Sequence, residues 1–205
     1  QKPFQQHFPQ PGRVEHDPLE IWISQAAAAR EAVEASGVAP GKIAAIGITN
    51  QRETAVFWDR KTGEPLGPAI VWQDRRTADF CRRLEAEGLG PVVAERTGLL
   101  LDPYFSGTKI AWFLGANPGL AARAARGEVA FGTVDSWLIF KLTGRHLTDP
   151  SNASRTMLFD IHRGRWDEGL AKALGVPAAM LPEVAPSASR FGDARADFLG
   201  VPVPV

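Results

Sequence analysis

An excess of charge is the first thing this chain lacks: 23 Lys and Arg residues are matched by 23 Asp and Glu. Without a net field to draw in nucleic acid or an anionic membrane, the expected partner is a small molecule or a protein. The single cysteine, Cys81, excludes an intrachain disulfide and fits a reducing cytoplasm. No apolar stretch approaches the ~20 residues that a membrane helix needs, so no membrane insertion is expected. The start, Gln1-Lys2-Pro3-Phe4, lacks the basic, apolar and small-residue regions of a secretory signal. There is no internal repeat or low-complexity tract. The first residue is Gln rather than Met, which raises the expectation of an internal piece of a longer chain.

What is present is an ordinary globular balance, 44% hydrophobic and 22% charged over 205 residues, enough for one large domain or two small ones. The most informative stretch is Ile43 to Thr54, an apolar run that ends in Arg52 and Glu53 side by side. Ile43 to Thr49 has the length and branched character of a strand buried on both faces, as in the sheet of an α/β protein. Ligand sites in such sheets lie beyond the carboxyl ends of the strands, which puts Arg52 and Glu53 at a strand mouth. A guanidinium only donates hydrogen bonds and a carboxylate only accepts them, and a small polyhydroxy ligand needs both. A structural ion pair, or two solvated charges, is the competing reading of the same residues.

Along the rest of the chain, Asp17 and Pro18 open a helix as N-cap and first helical residue, and the helix runs from about Leu19 to Ala35. His16 beside Asp17 is read as a bystander to that cap rather than a metal or acid/base partner. Thr54 to Asp59 is a second strand, forming a hairpin with Ala69 to Trp72 across the turn Lys61 to Glu64. Helices are expected over Arg75–Glu87, Val92–Glu95, Lys109–Leu114, Leu120–Arg126, Val134–Leu142 and Asp167–Leu174. Strands are expected at Val129–Gly132 and Thr156–Ile161, with a polar loop from Thr148 to Arg155. The last residues, Val201 to Val205, read as an unpartnered extended edge. Trp72 and Tyr104, taken singly, read as a core residue and a loop anchor.

Six blocks occur in order: Pro11 to Pro18, Gly47 to Thr54, Val71 to Arg76, Asp102 to Lys109, Thr133 to Leu142 and Ser151 to Phe159. Together they resemble the FGGY family of carbohydrate kinases, and within it the members that phosphorylate glycerol, over nearly the whole chain. The resemblance implies a ribonuclease H-like α/β domain of the actin/hexokinase type, incomplete at both ends. Residues 1–205 would be a partial N-terminal domain, lacking its first β-hairpin and the entire C-terminal domain. It also implies that Arg52, Glu53 and Tyr104 bind the glycerol hydroxyls while Trp72 packs against the carbon chain. A donor fork, an acceptor carboxylate, a phenol and an indole face complement three hydroxyls on a thin apolar edge. Two departures stand out: Gly115 and Ala116 where the family signature ends in polar residues, leaving the end of that helix open, and Arg13 in place of an aromatic.

The resemblance further implies ATP and Mg²⁺, bound mainly by parts outside these residues. An Asp-Gly-Thr phosphate loop would precede Gln1, and the catalytic Asp of a Gly-Asp-Gln motif would follow Val205. No catalytic residue is assigned within the chain; Asp135 and Asp149 are explained as a helix start and a loop. The fragment alone is expected to be inactive, and the full-length protein's homo-oligomeric state stays open. Two alternatives stand beside glycerol phosphorylation: an FGGY kinase for another polyol or a pentulose, and a non-catalytic short form that binds polyol or protein.

Overall fold

The computed structural model describes residues Gln1–Val205. Its centre is an antiparallel ladder whose residues alternate between two apolar layers. In chain order the elements are β1 (Glu15–His16), α1 (Pro18–Ser36), β2 (Val56–Asp59), β3 (Ala69–Ile70), α2 (Ala78–Ala86), α3 (Gly90–Thr97) and α4 (Ser106–Ala116). There follow α5 (Pro118–Ala125), β4 (Val129–Gly132), α6 (Val134–Thr143), β5 (Leu147–Thr148), α7 (Pro150–Ala153), β6 (Phe159–Asp160) and β7 (Arg165–Trp166). The chain closes with α8 (Glu168–Ala173), β8 (Glu183–Val184), β9 (Asp193–Ala194), α9 (Ala196–Leu199) and β10 (Val203–Pro204).

β2 pairs with β4 from Val56↔Gly132 to Asp59↔Val129. Because strand side chains alternate faces, Phe57, Val129 and Phe131 enter one core with Val93, Ile110, Phe113 and Leu170. Val56, Trp58 and Ala130 enter the opposite core with Ile21 of α1 and Val134, Trp137 and Leu138 of α6. Phe57 stacks on Phe113 at 3.9 Å between centroids, and Trp58 tilts against Trp137 at 5.4 Å. Fully burying side chains of this size contributes about 1.5 to 3 kcal/mol each, so this ladder anchors both layers. A third apolar cluster joins Ala26, Ile139 and Leu142 to Phe191, Phe198 and Val205.

α1 begins as expected: the Asp17 carboxylate accepts the Leu19 N–H at 2.7 Å, and Gly37 closes the helix in the left-handed region at φ 67°. The hairpin after β2 forms as scattered pairs rather than a ladder. Ala55 and Ile70 exchange backbone hydrogen bonds, both 2.9 Å, while β3 pairs with β1. The expected loop from Thr148 to Arg155 contains α7, one turn capped by Asp149, whose carboxylate accepts the Asn152 N–H at 2.8 Å. α4 starts three residues earlier than expected and runs through Gly115 to Ala116, so the small residues there do not shorten it. Val201 to Val205 is not an unpartnered edge, since β10 pairs with β9 and the Phe191 N–H reaches the Val205 carbonyl at 2.7 Å.

The larger correction concerns Ile43 to Thr49. This segment forms no strand; Ala44, Ala45, Gly47 and Thr49 are exposed, and Ile43, Ile46 and Ile48 are only half-buried. From Ala44 to Thr49 a single backbone hydrogen bond is made, from the Ile46 N–H to the Pro204 carbonyl at 2.8 Å. A strand buried on both faces needs ladder partners, and within these residues only Pro204 reaches it. No helix is long and apolar enough to cross a membrane. Cys81 is buried and unpaired.

Hydrogen exchange on this chain will show the unbonded amides of residues 44, 45 and 47–49 exchanging at least ~100-fold faster than those of β2 and β4. Equal protection in the two regions would refute the unpaired arrangement. A second expectation concerns His146, whose Nε2–H donates to the Phe131 carbonyl at 2.7 Å while Nδ1 is buried without a partner. Burial, opposed by that hydrogen bond and assisted by Arg60, pushes its pKa down from 6.5 to about 4. Between those values the unfolded chain binds a proton that the folded chain does not, so stability is lost as pH falls from about 6.5 to about 4. The loss is about 3 kcal/mol. Urea unfolding across that window will be flatter in His146→Gln, which keeps a donor for Phe131; an identical slope would exclude His146 as the source.

Candidate functional site

Glu53 directly precedes the buried end of the hairpin and is itself only 5% exposed. A carboxylate so placed needs a donor, and Arg155 supplies one, Nε to Oε1 at 2.7 Å. Arg155 is delivered by a tight turn. Its N–H returns to the Asn152 carbonyl at 3.0 Å, and two residues later Met157 takes φ 63°, rare for a side chain of its size. The turn is locked from the other side by Gly107, whose N–H reaches the Thr156 carbonyl at 2.7 Å. A Cβ on Gly107 would stand 2.7 Å from that carbonyl oxygen and 2.9 Å from Leu174 Cδ1, so only glycine permits this approach.

Tyr104 sits on the loop before α4, its N–H held at 2.8 Å by the Asp102 carboxylate, which also pairs with Arg75 at 2.8 Å. Trp72 lies in the turn after β3, next to the buried Asp74, which accepts from the Val14 N–H at 2.7 Å and binds Arg76. The Trp72 and Tyr104 rings meet at 5.5 Å between centroids, tilted 56°. The Arg155 guanidinium lies 5.8 Å from the Tyr104 ring centre and 4.9 Å from that of Phe105. Of the four residues singled out in the sequence, Glu53 and Tyr104 therefore meet at one guanidinium, and Trp72 joins them through the Tyr104 ring. Arg52, the fourth, is exposed beside them with no hydrogen bond or ion pair of its own.

Two participants were missed by the sequence reading. Arg155 is one; its side chain is 28% exposed and offers its Nη groups to solvent. Lys109 is the other, 0% exposed in the first turn of α4. Its Nζ donates to the carbonyls of Tyr104, Glu53 (3.3 Å) and Phe105 (3.4 Å), while Ser106 Oγ donates to the same Glu53 carbonyl at 3.1 Å. Burial pulls the Lys109 pKa down to about 7, against the opposing pull of Asp74, Glu53 and Asp102. A lone lysine ahead of the apolar run Ile110 to Leu114 was the available signal. Arg13, the departure from the family pattern, stands 5.3 Å over the Trp112 ring, with Arg76 at 4.5 Å.

The cluster leaves Glu53 Oε2, the Tyr104 hydroxyl, the Arg155 Nη groups and Arg52 without protein partners, an acceptor and several donors flanked by aromatic faces. That set suits hydroxyl-rich, uncharged ligands. Another groove of about 380 Å³ lies between residues 45–48, α6, α7 and Ser187 to Phe191. It follows the unpaired edge of the 43–49 segment, and its Asp135 and Asn152 side chains are satisfied internally. Asp135 accepts from Thr133 and from Thr148 (2.7 Å), and Asn152 Oδ1 accepts from Asn50 at 2.9 Å. Burial raises the Asp135 pKa to about 6. No three His, Cys, Asp or Glu side chains converge where they could hold a metal, and no glycine-rich phosphate cradle opens a helix, so these residues do not fit Mg²⁺ or nucleotide phosphates.

The structure is an α/β domain with an open cluster of hydrogen-bond donors, a carboxylate acceptor and aromatic faces. The chain belongs to the FGGY family of carbohydrate kinases, whose N-terminal domain it matches over residues 1–204. It is 59% identical to the glycerol kinase of Nitrobacter hamburgensis across 100% of its length, covering 41% of that protein. It is 57% identical to the glycerol kinase of Thermus brockianus, again over 100% of the chain and 42% of the relative. Among solved structures it matches the Plasmodium falciparum glycerol kinase with ADP at a TM-score of 0.93 and 35% identity, covering 98% of this chain and 41% of that one. A Rhodospirillum rubrum xylulose kinase shares the fold at a TM-score of 0.88 and 23% identity, over 100% of this chain and 42% of that one. The expected actin/hexokinase-like fold is thus confirmed, and the chain spans about two fifths of the length of these relatives.

Replacing Gly107 by Ala will lower the urea midpoint of this chain. The intruding methyl costs about 1 to 3 kcal/mol, which exceeds the roughly 1 kcal/mol that alanine gains in a helix. A neutral or stabilising result would show that the Thr156 carbonyl yields freely.

Proposed function

We propose that the natural-length protein transfers the γ-phosphoryl group of ATP to glycerol, giving sn-glycerol 3-phosphate, and that residues 1–205 are a partial N-terminal domain carrying part of the glycerol pocket. The observation that carries this reading is the meeting of Glu53 and Tyr104 at Arg155, with Trp72 packed on the Tyr104 ring and Arg52 unpaired next to Glu53. Glu53 Oε2 accepts a hydroxyl hydrogen bond, Arg52 donates to hydroxyl oxygens, and the Tyr104 phenol does either. Trp72 covers the C–H edge of the triol. The high identity to glycerol kinases over the whole chain supports glycerol above other polyols.

In the reaction, a glycerol hydroxyl oxygen forms a bond to the γ-phosphorus, its proton passes to a base, and the bond to the ADP oxygen breaks. Catalysis of such a step rests on positioning and electrostatic stabilisation. This domain's residues bind and orient the triol. The base, ATP and Mg²⁺ belong to parts of the protein outside these residues, and the cytoplasm is the compartment that supplies them. A pentulose kinase shares the fold, and a non-catalytic binding form shares the pocket.

The intact mass of the natural product comes first: one more than twice 22.2 kDa fits a complete kinase, whereas 22.2 kDa itself points to the non-catalytic form. A substrate panel with ATP and Mg²⁺ then decides: phosphorylation of glycerol well ahead of xylulose, ribulose and longer polyols is expected, and preference for a pentulose would overturn the assignment. In the same protein, Arg52→Ala will lose about 2 to 3 kcal/mol of transition-state binding, roughly 30- to 150-fold in kcat/KM for glycerol. Unchanged efficiency would remove Arg52 from the pocket.

A further inference from the structure

Lys109 has no carboxylate partner within ion-pair distance, although it is completely buried. All three of its acceptors are main-chain carbonyls, and two belong to Glu53 and Tyr104, which come from separate segments of the chain. The third, that of Phe105, belongs to the residue whose ring lies under the Arg155 guanidinium. An ammonium group presents three donors from one centre, so it can fix three carbonyls at set distances from each other. Lys109 itself is held in the first turn of α4, between Ser106, which binds the Glu53 carbonyl at 3.1 Å, and Ile110, which is fully buried in the core below. Glu53 thereby meets Lys109 only through its carbonyl, and its carboxylate stays directed to Arg155, with Oε2 open.

We propose that Lys109 is a positioning residue that sets the distance between the Glu53 carboxylate and the Tyr104 phenol, and through it the affinity for a small polyhydroxy substrate. It touches no substrate itself; it acts through the backbone of the two residues that do. The proposal rests on the polyol-kinase reading above. Its consequence is selective: releasing the clamp loosens the triol site without altering the nucleotide site, which lies outside these residues.

The test uses the natural-length protein, with Lys109→Met, which keeps much of the side-chain volume and removes every donor. For the folded variant, KM for glycerol is expected to rise roughly ten-fold or more, with KM for ATP and kcat at saturating glycerol staying within about two-fold of the parent. Calorimetric glycerol binding should weaken in parallel. A folded variant with unchanged glycerol KM would overturn the proposal, as would one in which glycerol and ATP constants rise together. If Lys109→Met does not fold, the decision passes to Lys109→Ala assayed with and without n-propylammonium, a cation small enough to refill the space. Recovery of glycerol affinity with the amine supports the clamp, and no recovery overturns it. A parent protein that fails to phosphorylate glycerol would instead remove the functional reading, an outcome visible before any variant is made.

Discussion

The pairing of β2 with β4 is the constraint on which the rest of the domain depends. Seven of the eight paired residues are buried, and the alternating side chains build two cores at once, one against α3, α4 and α8 and the other against α1 and α6. A ladder covered on both sides cannot slip by one residue without sending Trp58 and Phe57 into each other's layer. Its register therefore fixes where the chain emerges at Thr54, and so where the Glu53 carboxylate lies. The stacking of Phe57 on Phe113 transmits the same register to α4, the helix whose first turn carries Lys109 and whose preceding loop carries Tyr104. Both walls of the candidate site thus trace to one pair of short strands.

What could be read from the sequence follows from the range of the interaction that decides it. The cap at Asp17, the strands β2 and β4 and the helix α6 are set by local chemistry and by apolar spacing, and they appear where that spacing puts them. The stretch Ile43 to Thr49 has equally strong strand chemistry but forms no ladder, because pairing depends on a neighbour that its own residues do not specify. The same limit applies to side chains. Glu53, Tyr104 and Trp72 were legible through ordered blocks of sequence, whereas Arg155 stood inside those blocks without a reason to be singled out and Lys109 with only its place ahead of an apolar run. Their roles come from acceptors contributed about a hundred and about fifty residues away, respectively, and such a relation leaves no spacing pattern to find.

The electrostatics of the cluster fit a substrate that is neutral on arrival. One carboxylate is engaged by the Nε of Arg155, and the neighbouring Arg52 is exposed and unengaged. A dianionic sugar phosphate would find the Glu53 charge opposing it, and a cationic ligand would find two arginines. A triol meets neither penalty, and its hydroxyls both give and receive hydrogen bonds. On the proposed reading the carboxylate orients the neutral precursor. The aromatic faces of Trp72 and Tyr104 add contact area without adding charge.

Lys109 shows what this arrangement costs the fold. Burial disfavours its ammonium strongly enough to bring the pKa down to about 7, and the three neighbouring carboxylates, Asp74, Glu53 and Asp102, recover only part of that. An apolar side chain at this place in α4 would join Ile110 and Phe113 in the core without a desolvation penalty, and replacing buried charge by hydrocarbon is often neutral or stabilising. It would, however, leave the Tyr104 and Phe105 carbonyls without the Lys109 donor and the two walls of the site connected only by chain and by packing. Packing tolerates shifts of a few tenths of an ångström that three hydrogen bonds to one centre do not. The buried charge therefore makes sense as a device for geometry rather than for stability, placed where the fold can least accommodate charge and where the site most needs a fixed distance.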